Sequence, residues 1–205
     1  MTPLLVLVAC ECSGKVRNAF RKLGHNAWSC DLLPADDDSF FHFQGDCIQV
    51  IETGWDLIIM HPPCTALAVS GNAWYGTGMP KNDQRHEAIK WTMDLFNLAK
   101  EHAPRVAMEN PVGVLPIKPS QYVQPWMFGH PESKKTGLWL HNLKPLEATD
   151  TLQIPERGYW DNQTPSGQNK LAPSSDRAKL RSETYAGIAS AMADQWGTPP
   201  TEDKK

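Results

Sequence analysis

The run LLVLVA, Leu4 to Ala9, constrains the fold more than any other stretch of the chain. Consecutive apolar residues without alternation mark a strand covered on both faces, and such strands belong to parallel sheets hidden between helices. The next residues agree. CECSG supplies a turn with one glycine. In KVRNAFRKLG, Val16, Ala19, Phe20 and Leu23 recur at helical spacing, with Ser13 placed to cap the helix and Gly24 to end it. NAWSC then predicts a second strand that ends at Asp31. Strand, glycine-bearing turn, helix, strand and acidic residue together open a doubly wound α/β sheet.

Further along, an acidic, aromatic loop runs from Asp36 to Phe43, and CIQVIE fits either a short helix or a strand. DLIIM, from Asp56 to Met60, predicts another buried strand. GNAWYGTGMPKND reads as a loop of a length usually tied to function. RHEAIKWTMDLFNLAKEH predicts a helix with Ile89, Met93, Leu95 and Phe96 toward the core, and RVAMEN a strand halted by Pro111. TGLWLHNL predicts a strand and DRAKLRSETYAGIASAMADQW a broken closing helix. One domain over 1–197 is expected, with an irregular excursion at 146–177 rich in Pro, Asn, Gln, Gly and Ser, and a frayed tail at 198–205.

Bulk properties exclude some classes. A net charge of −3 and a pI near 6.1 rule against a polycationic nucleic-acid binder, though a basic groove confined to one face is compatible with them. The five cysteines are odd in number and lack framework spacing, which predicts free thiols in a reducing cytoplasm. Cys10 and Cys12 lie too close together for a metal knuckle, so no metal is expected. The apolar opening lacks the basic flank and the length of a signal or membrane span.

Ligands of open α/β sheets sit beyond the carboxyl ends of the strands. Four polar clusters fall there: Cys10 to Gly14, Asp31, the HPPC run from His61 to Cys64, and Glu109 with Asn110. The first loop lacks a full G-x-G-x-x-G pattern, so it suits an adenosine-type ligand better than a phosphate. Asp31 fits a ribose-hydroxyl acceptor or a turn residue equally well, and Asp46 an acceptor for an adenine amine or an Asx turn. Pro62 and Pro63 fix a rigid platform ahead of Cys64, which presents that thiol to the cleft; on its own the residue fits a packed thiol or a nucleophile. Glu109 ends an apolar strand, where burial would raise its pKa and make it a proton donor; the alternative is a structural partner of Arg105 or Lys134. Trp74 and Tyr75 are the aromatic pair best placed to stack on a base.

Read together, these segments resemble the S-adenosylmethionine-dependent DNA cytosine carbon-5 methyltransferases. GDCIQVIETGWDLIIMHPPCTALAVSG is similar in spacing to that family's run from the adenine-contacting aspartate to the catalytic Pro-Cys loop, and RVAMENPVG to its Glu-Asn-Val element. The likeness is close over Leu4 to Val114 and looser beyond, where QPWMFGHPESKKTGLWL and RSETYAGIASAMADQWG are similar to small phage and prophage methylases.

The resemblance implies a Rossmann-like class I methyltransferase fold, with a mainly parallel sheet flanked by helices. It implies Cys64 as the nucleophile on carbon 6 of a flipped-out cytosine and Glu109 as the partner of ring nitrogen 3. For S-adenosylmethionine or a derivative it implies Cys10, Glu11, Gly14, Asp31, Asp46 and Pro62. For the DNA, duplex or single-stranded, it implies Pro63, Thr65, Ser70, Trp74, Arg85, Asn110, Lys134 and Lys135. The expected setting is the cytoplasm, of the host if the chain is phage-encoded, with no membrane association.

Departures from the family are also plain. ECSG replaces a Phe-x-Gly-x-Gly sequence, Thr65 follows the Pro-Cys in place of Gln, no Arg-x-Arg motif occurs, and no Gly-Asn motif falls near Gly187. The 146–177 excursion is far short of a full target-recognition domain, which predicts low sequence specificity, a protein partner that supplies it, or a substrate other than duplex DNA. Two other functions compete: an exocyclic-amine methyltransferase, because HPPC is similar to an Asp-Pro-Pro-Tyr motif, and a methylase-derived binding protein without catalysis.

Overall fold

Alternation within β1 (Leu5–Ala9) builds the two layers of the core. Val6 and Val8 face one layer with Phe20, Ile59, Met192 and Trp196; Leu7 and Ala9 face the other with Ile51, Ile58, Leu95, Phe96 and Met108. Burying a side chain such as Phe20 contributes about 3 kcal/mol, so each layer rests on several such residues. The computed structural model describes residues 2–172, 174 and 177–198.

After β1 come α1 (Lys15–Lys22), β2 (Asn26–Asp31), β3 (His42–Gln44), α2 (Cys47–Ile51) and β4 (Leu57–Met60). Next follow α3 (Asn72–Tyr75), α4 (Asn82–His102), β5 (Val106–Pro111), β6 (Gln121–Val123), β7 (Thr136–His141), α5 (Arg177–Ser182) and α6 (Ala186–Trp196). The seven strands are ordered β3-β2-β1-β4-β5-β7-β6. The first five run parallel, and β7 is antiparallel to both β5 and β6. α1 and α6 pack together over one face, while α2 and α4 cover the other. This is the expected Rossmann-like α/β architecture, a single mainly parallel sheet flanked by helices.

Strand order reverses between β1 and β4, and a crevice at such a switch point is where open α/β sheets bind ligands. The two strand ends are tied there, because His61 N–H donates to the Ala9 carbonyl at 2.9 Å.

Several local expectations change. The segment 72–75 within the expected long loop is helical, and β3 begins inside the loop expected from Asp36 to Phe43. α4 turns Arg85, Thr92, Leu95, Phe96 and Ala99 inward, with Ile89 and Met93 only half-buried. Ser13 is not the cap of α1. That position is Gly14, in the left-handed region at φ 68°, and the helix's first amides are met by the Glu11 carboxylate. Between Leu146 and Ala172 the backbone has no helix or strand beyond isolated bridges, and the tail from Pro199 onward lies outside the described residues.

Candidate active site

The β1 end carries a left-handed cysteine. Cys10 has φ 59°, which turns the chain sharply out of the strand, and its sulfur lies 3.8 Å from that of Cys47 at the start of α2. Cys30 adjoins them and bonds the Gly45 carbonyl at 3.5 Å. The pairing with Cys47, together with burial, pushes the Cys10 thiol well up, and burial pushes Cys30 up to about 12. Cys10 and Cys30 are therefore favoured as thiols, whereas the bond from Cys10 pulls the Cys47 thiol down. Among the described residues, no group of His, Cys, Asp and Glu could hold a metal.

Glu11 departs from its expected role at the cofactor. It is 5% exposed; one oxygen accepts from Val16 N–H at 2.7 Å and the other from Arg17 N–H at 3.3 Å, so its carboxylate caps α1. Gly14 is needed twice over. Its φ disfavours any side chain, and a Cβ there would collide with Nη2 of the buried Arg17, which ties α1 to Asp37 and Ser29.

Asp31 and Asp46 each use one oxygen locally, on Leu33 N–H at 2.9 Å and on Ile48 N–H at 3.0 Å. Asp46 is the N-cap of α2. In both, Oδ2 has no protein partner among the described residues, so each keeps an acceptor for a hydroxyl or an amine.

At the β4 end the platform is fastened from below. Asn110, 1% exposed, donates to the Pro62 carbonyl at 2.9 Å. It therefore positions the Pro-Pro-Cys loop and does not reach a nucleic acid, which corrects the expectation for it. Arg85 needs the same correction. It is 6% exposed and donates to the carbonyls of Ala66 and Ala68 and to Asn72 Oδ1, at 2.7, 3.2 and 2.8 Å. Those bonds fasten the segment that follows Cys64. Cys64 itself closes a turn, its carbonyl accepting from Leu67 and Ala68 N–H. Pro62 is buried, while Pro63, Thr65, Ser70 and Trp74 are exposed along the rim, Trp74 at 63%.

Glu109 faces this platform from the end of β5. His61 Nδ1 lies 3.3 Å from its Oε2, and the two side chains are 9% and 15% exposed. Burial raises the carboxyl, but the His61 hydrogen bond, the Lys134 charge and Thr136 outweigh it, so Glu109 sits below the ordinary glutamate range. The shift is thus opposite to the one that burial alone predicts, and it favours the carboxylate form at rest. Arg105 is not its partner, because that guanidinium clamps the Trp196 and Thr198 carbonyls at the far end of β5.

Cys64 is pushed up by burial and by the Glu109 charge, against the pull of Lys134 and Arg181. The resting site is therefore a thiol beside a carboxylate. Lys134 is half-buried and held by the Glu183 carbonyl at 3.0 Å, whereas Lys135 is exposed over the Tyr122 ring. Glu109, Lys134, Thr136, Thr184, Tyr185 and Ile188 line one small pocket, and Tyr185 O–H donates to Glu132 at 2.6 Å. Sequence reasoning missed Glu183 and Tyr185, which lie far from Glu109 along the chain and have no local motif.

No family model matches the chain, and no curated protein does. Among solved structures, a Dnmt2 methyltransferase from S. pombe aligns at 16% identity and TM-score 0.43, covering 69% of this chain. The chain spans about half, 50%, of that protein's length. Among the described residues no helix is long and apolar enough to cross a membrane.

Proposed function

We propose that the chain methylates carbon 5 of cytosine in DNA by covalent catalysis at Cys64. The observation that carries this reading is the pairing of a cleft-edge thiol on a rigid platform with a carboxylate on the neighbouring strand. An aromatic ring carbon is inert until a soft nucleophile breaks the conjugation, and a thiolate is the side chain suited to that task.

The resting protonation states balance the step without an outside acid. Cys64 loses its proton as Sγ bonds to carbon 6, and ring nitrogen 3 gains one as negative charge collects there. The Glu109 carboxylate can take the first proton and deliver the second, while its other oxygen accepts from the exocyclic amine. Lys134 offsets the charge that builds up between them. After transfer the carbon-5 proton leaves to solvent water, and the carbon 5–carbon 6 double bond re-forms as the carbon 6–Sγ bond breaks. Nitrogen 3 gives its proton back through Glu109 to Sγ, which restores the resting thiol and carboxylate. S-adenosylmethionine, when bound, supplies the electrophilic methyl. The unpaired carboxylate oxygens of Asp31 and Asp46 fit its ribose and adenine, and the Cys10 to Gly14 backbone its methionine end; the Glu11 carboxylate is already engaged by α1.

The target atom lies within the base stack, so the base is flipped or already single-stranded. Trp74 and Lys135 are the exposed groups that would meet the nucleic acid, and the short excursion leaves sequence selectivity low unless a protein partner adds it.

The test is incubation with S-adenosylmethionine and DNA carrying 5-fluorocytosine, duplex and single-stranded, followed by mass spectrometry. An adduct on Cys64, lost in Cys64→Ser, is expected. Methylation that survives Cys64→Ser would favour an exocyclic-amine acceptor, and absence of both cofactor binding and turnover a non-catalytic role.

A further inference from the structure

The contact between His61 and Glu109 has a purpose that chain packing does not explain. His61 sits where β4 leaves the sheet, its backbone pinned to Ala9, its ring almost wholly buried. An ionised carboxylate only accepts, so Nδ1 must carry the proton of the 3.3 Å bond. The other ring nitrogen, Nε2, is buried and has no partner among the described residues. Histidines kept for packing networks normally satisfy both nitrogens. This ring has one polar tie, and that tie is to Glu109.

We propose that His61 is a positioning residue. Its Nδ1–H fixes Oε2 of Glu109 and keeps that group an acceptor, oriented toward the cleft, until a pyrimidine ring nitrogen requires the proton. The proposal rests on the covalent reading above for its place in the reaction.

The groups facing Glu109 are few. Lys134 and Thr136 approach from the start of β7, Cys64 from the platform, and Tyr185 from the entrance to α6. Lys134 is already held by Glu183, so it supplies charge but no fixed bond to Glu109. Thr136 also bonds the carboxylate, but its hydroxyl is shared with the Lys134 carbonyl at 3.1 Å, so His61 is the donor among these whose side chain is tied to Glu109 and nothing else.

The experiment uses the full chain with glutamate labelled by carbon-13 at the side-chain carboxyl, the Glu109 signal being assigned by its loss in E109Q. His61→Ala removes the donor; His61→Asn keeps an N–H near the Nδ1 position and serves as the conservative rescue. In His61→Ala the Glu109 midpoint is expected to rise by about one pH unit, and in His61→Asn to stay within about 0.3 of the parent. The acidic limb of kcat/KM should move upward by the same amount in His61→Ala, with kcat down about tenfold and KM for DNA within about twofold. An unmoved Glu109 midpoint in a folded His61→Ala, or an equal shift in His61→Asn, overturns the proposal. The titration needs no turnover. A shift in His61→Ala that His61→Asn restores supports the His61 role even if no methyl transfer is found, and that second result would count against the covalent reading alone.

Discussion

Two cysteines stand at the ends of neighbouring parallel strands, Cys10 after β1 and Cys64 after β4, and their surroundings differ in kind. Cys10 meets other sulfurs, with Cys47 at 3.8 Å, and faces the charges of Asp31 rather than a cation. Cys64 meets one carboxylate and two cations, Glu109 against Lys134 and Arg181. Both thiols are raised in the resting protein. Of the two, Cys64 alone faces cations that can hold the anion left when its proton goes. Position at the strand end is therefore shared, and reactivity is decided by what other elements bring to it.

The sharpest way to break this contrast is exchange of the sulfurs. Cys64→Ser is expected to remove fluorocytosine adduct formation and to cut kcat by at least about a thousandfold, while Cys10→Ser lowers it no more than about threefold in single-turnover assays. Comparable losses from the two would erase the distinction.

Next in size is Glu109→Gln, which should act in opposite directions on two readouts. Turnover falls by about a hundredfold or more, because the proton relay is lost. Alkylation of Cys64 by iodoacetamide becomes faster at pH 7, because the negative charge that raises the thiol is gone. A slower alkylation would show that Glu109 helps to form the thiolate instead.

Lys134→Met sharpens the comparison further. Removing the cation should slow Cys64 alkylation about threefold and leave that of Cys47 unchanged, as read by peptide mass spectrometry over time. In the parent protein the Cys64 rate should go on climbing at pH values above the ordinary thiol range of about 8.5.

The smallest effect concerns stability. Glu109 is depressed, so its contribution is full above the unfolded glutamate value of about 4.3 and fades as pH falls through the lower native value. Urea midpoints measured below about pH 4.3 should fall more steeply in the parent than in Glu109→Gln. Parallel curves would mean that the carboxylate is not favoured by folding.

The same contrast explains what could be read from residues alone. β1, β2, β4 and β5 are legible because apolar strand-length runs announce them, and with them the strand-end positions of Cys10, Asp31, Cys64 and Glu109. β3 and β6 are not legible. Each has three residues, and HFQ and QYV take strand form only because β2 and β7 offer edges to pair with. The charge state of Glu109 escapes the sequence for a related reason. Burial is visible in a strand pattern, but His61 and Lys134 lie 48 and 25 positions away along the chain. Glu11, Arg85 and Asn110 look like ligand contacts because they lie near motifs, yet folding turns each toward backbone amides or carbonyls.

The bond from Asn110 to the Pro62 carbonyl has one more consequence. It couples the residue next to Glu109 to the residue two before Cys64, across two adjacent strands. Cys64 and Glu109 thus belong to one hydrogen-bonded unit built on β4 and β5. Grafting the Pro-Pro-Cys loop into another sheet without its Asn-bearing neighbour would move the cysteine without the bond that holds its loop. Under the proposed function, a new substrate preference has its freest ground elsewhere, on the exposed rim side chains of Thr65, Ser70 and Trp74.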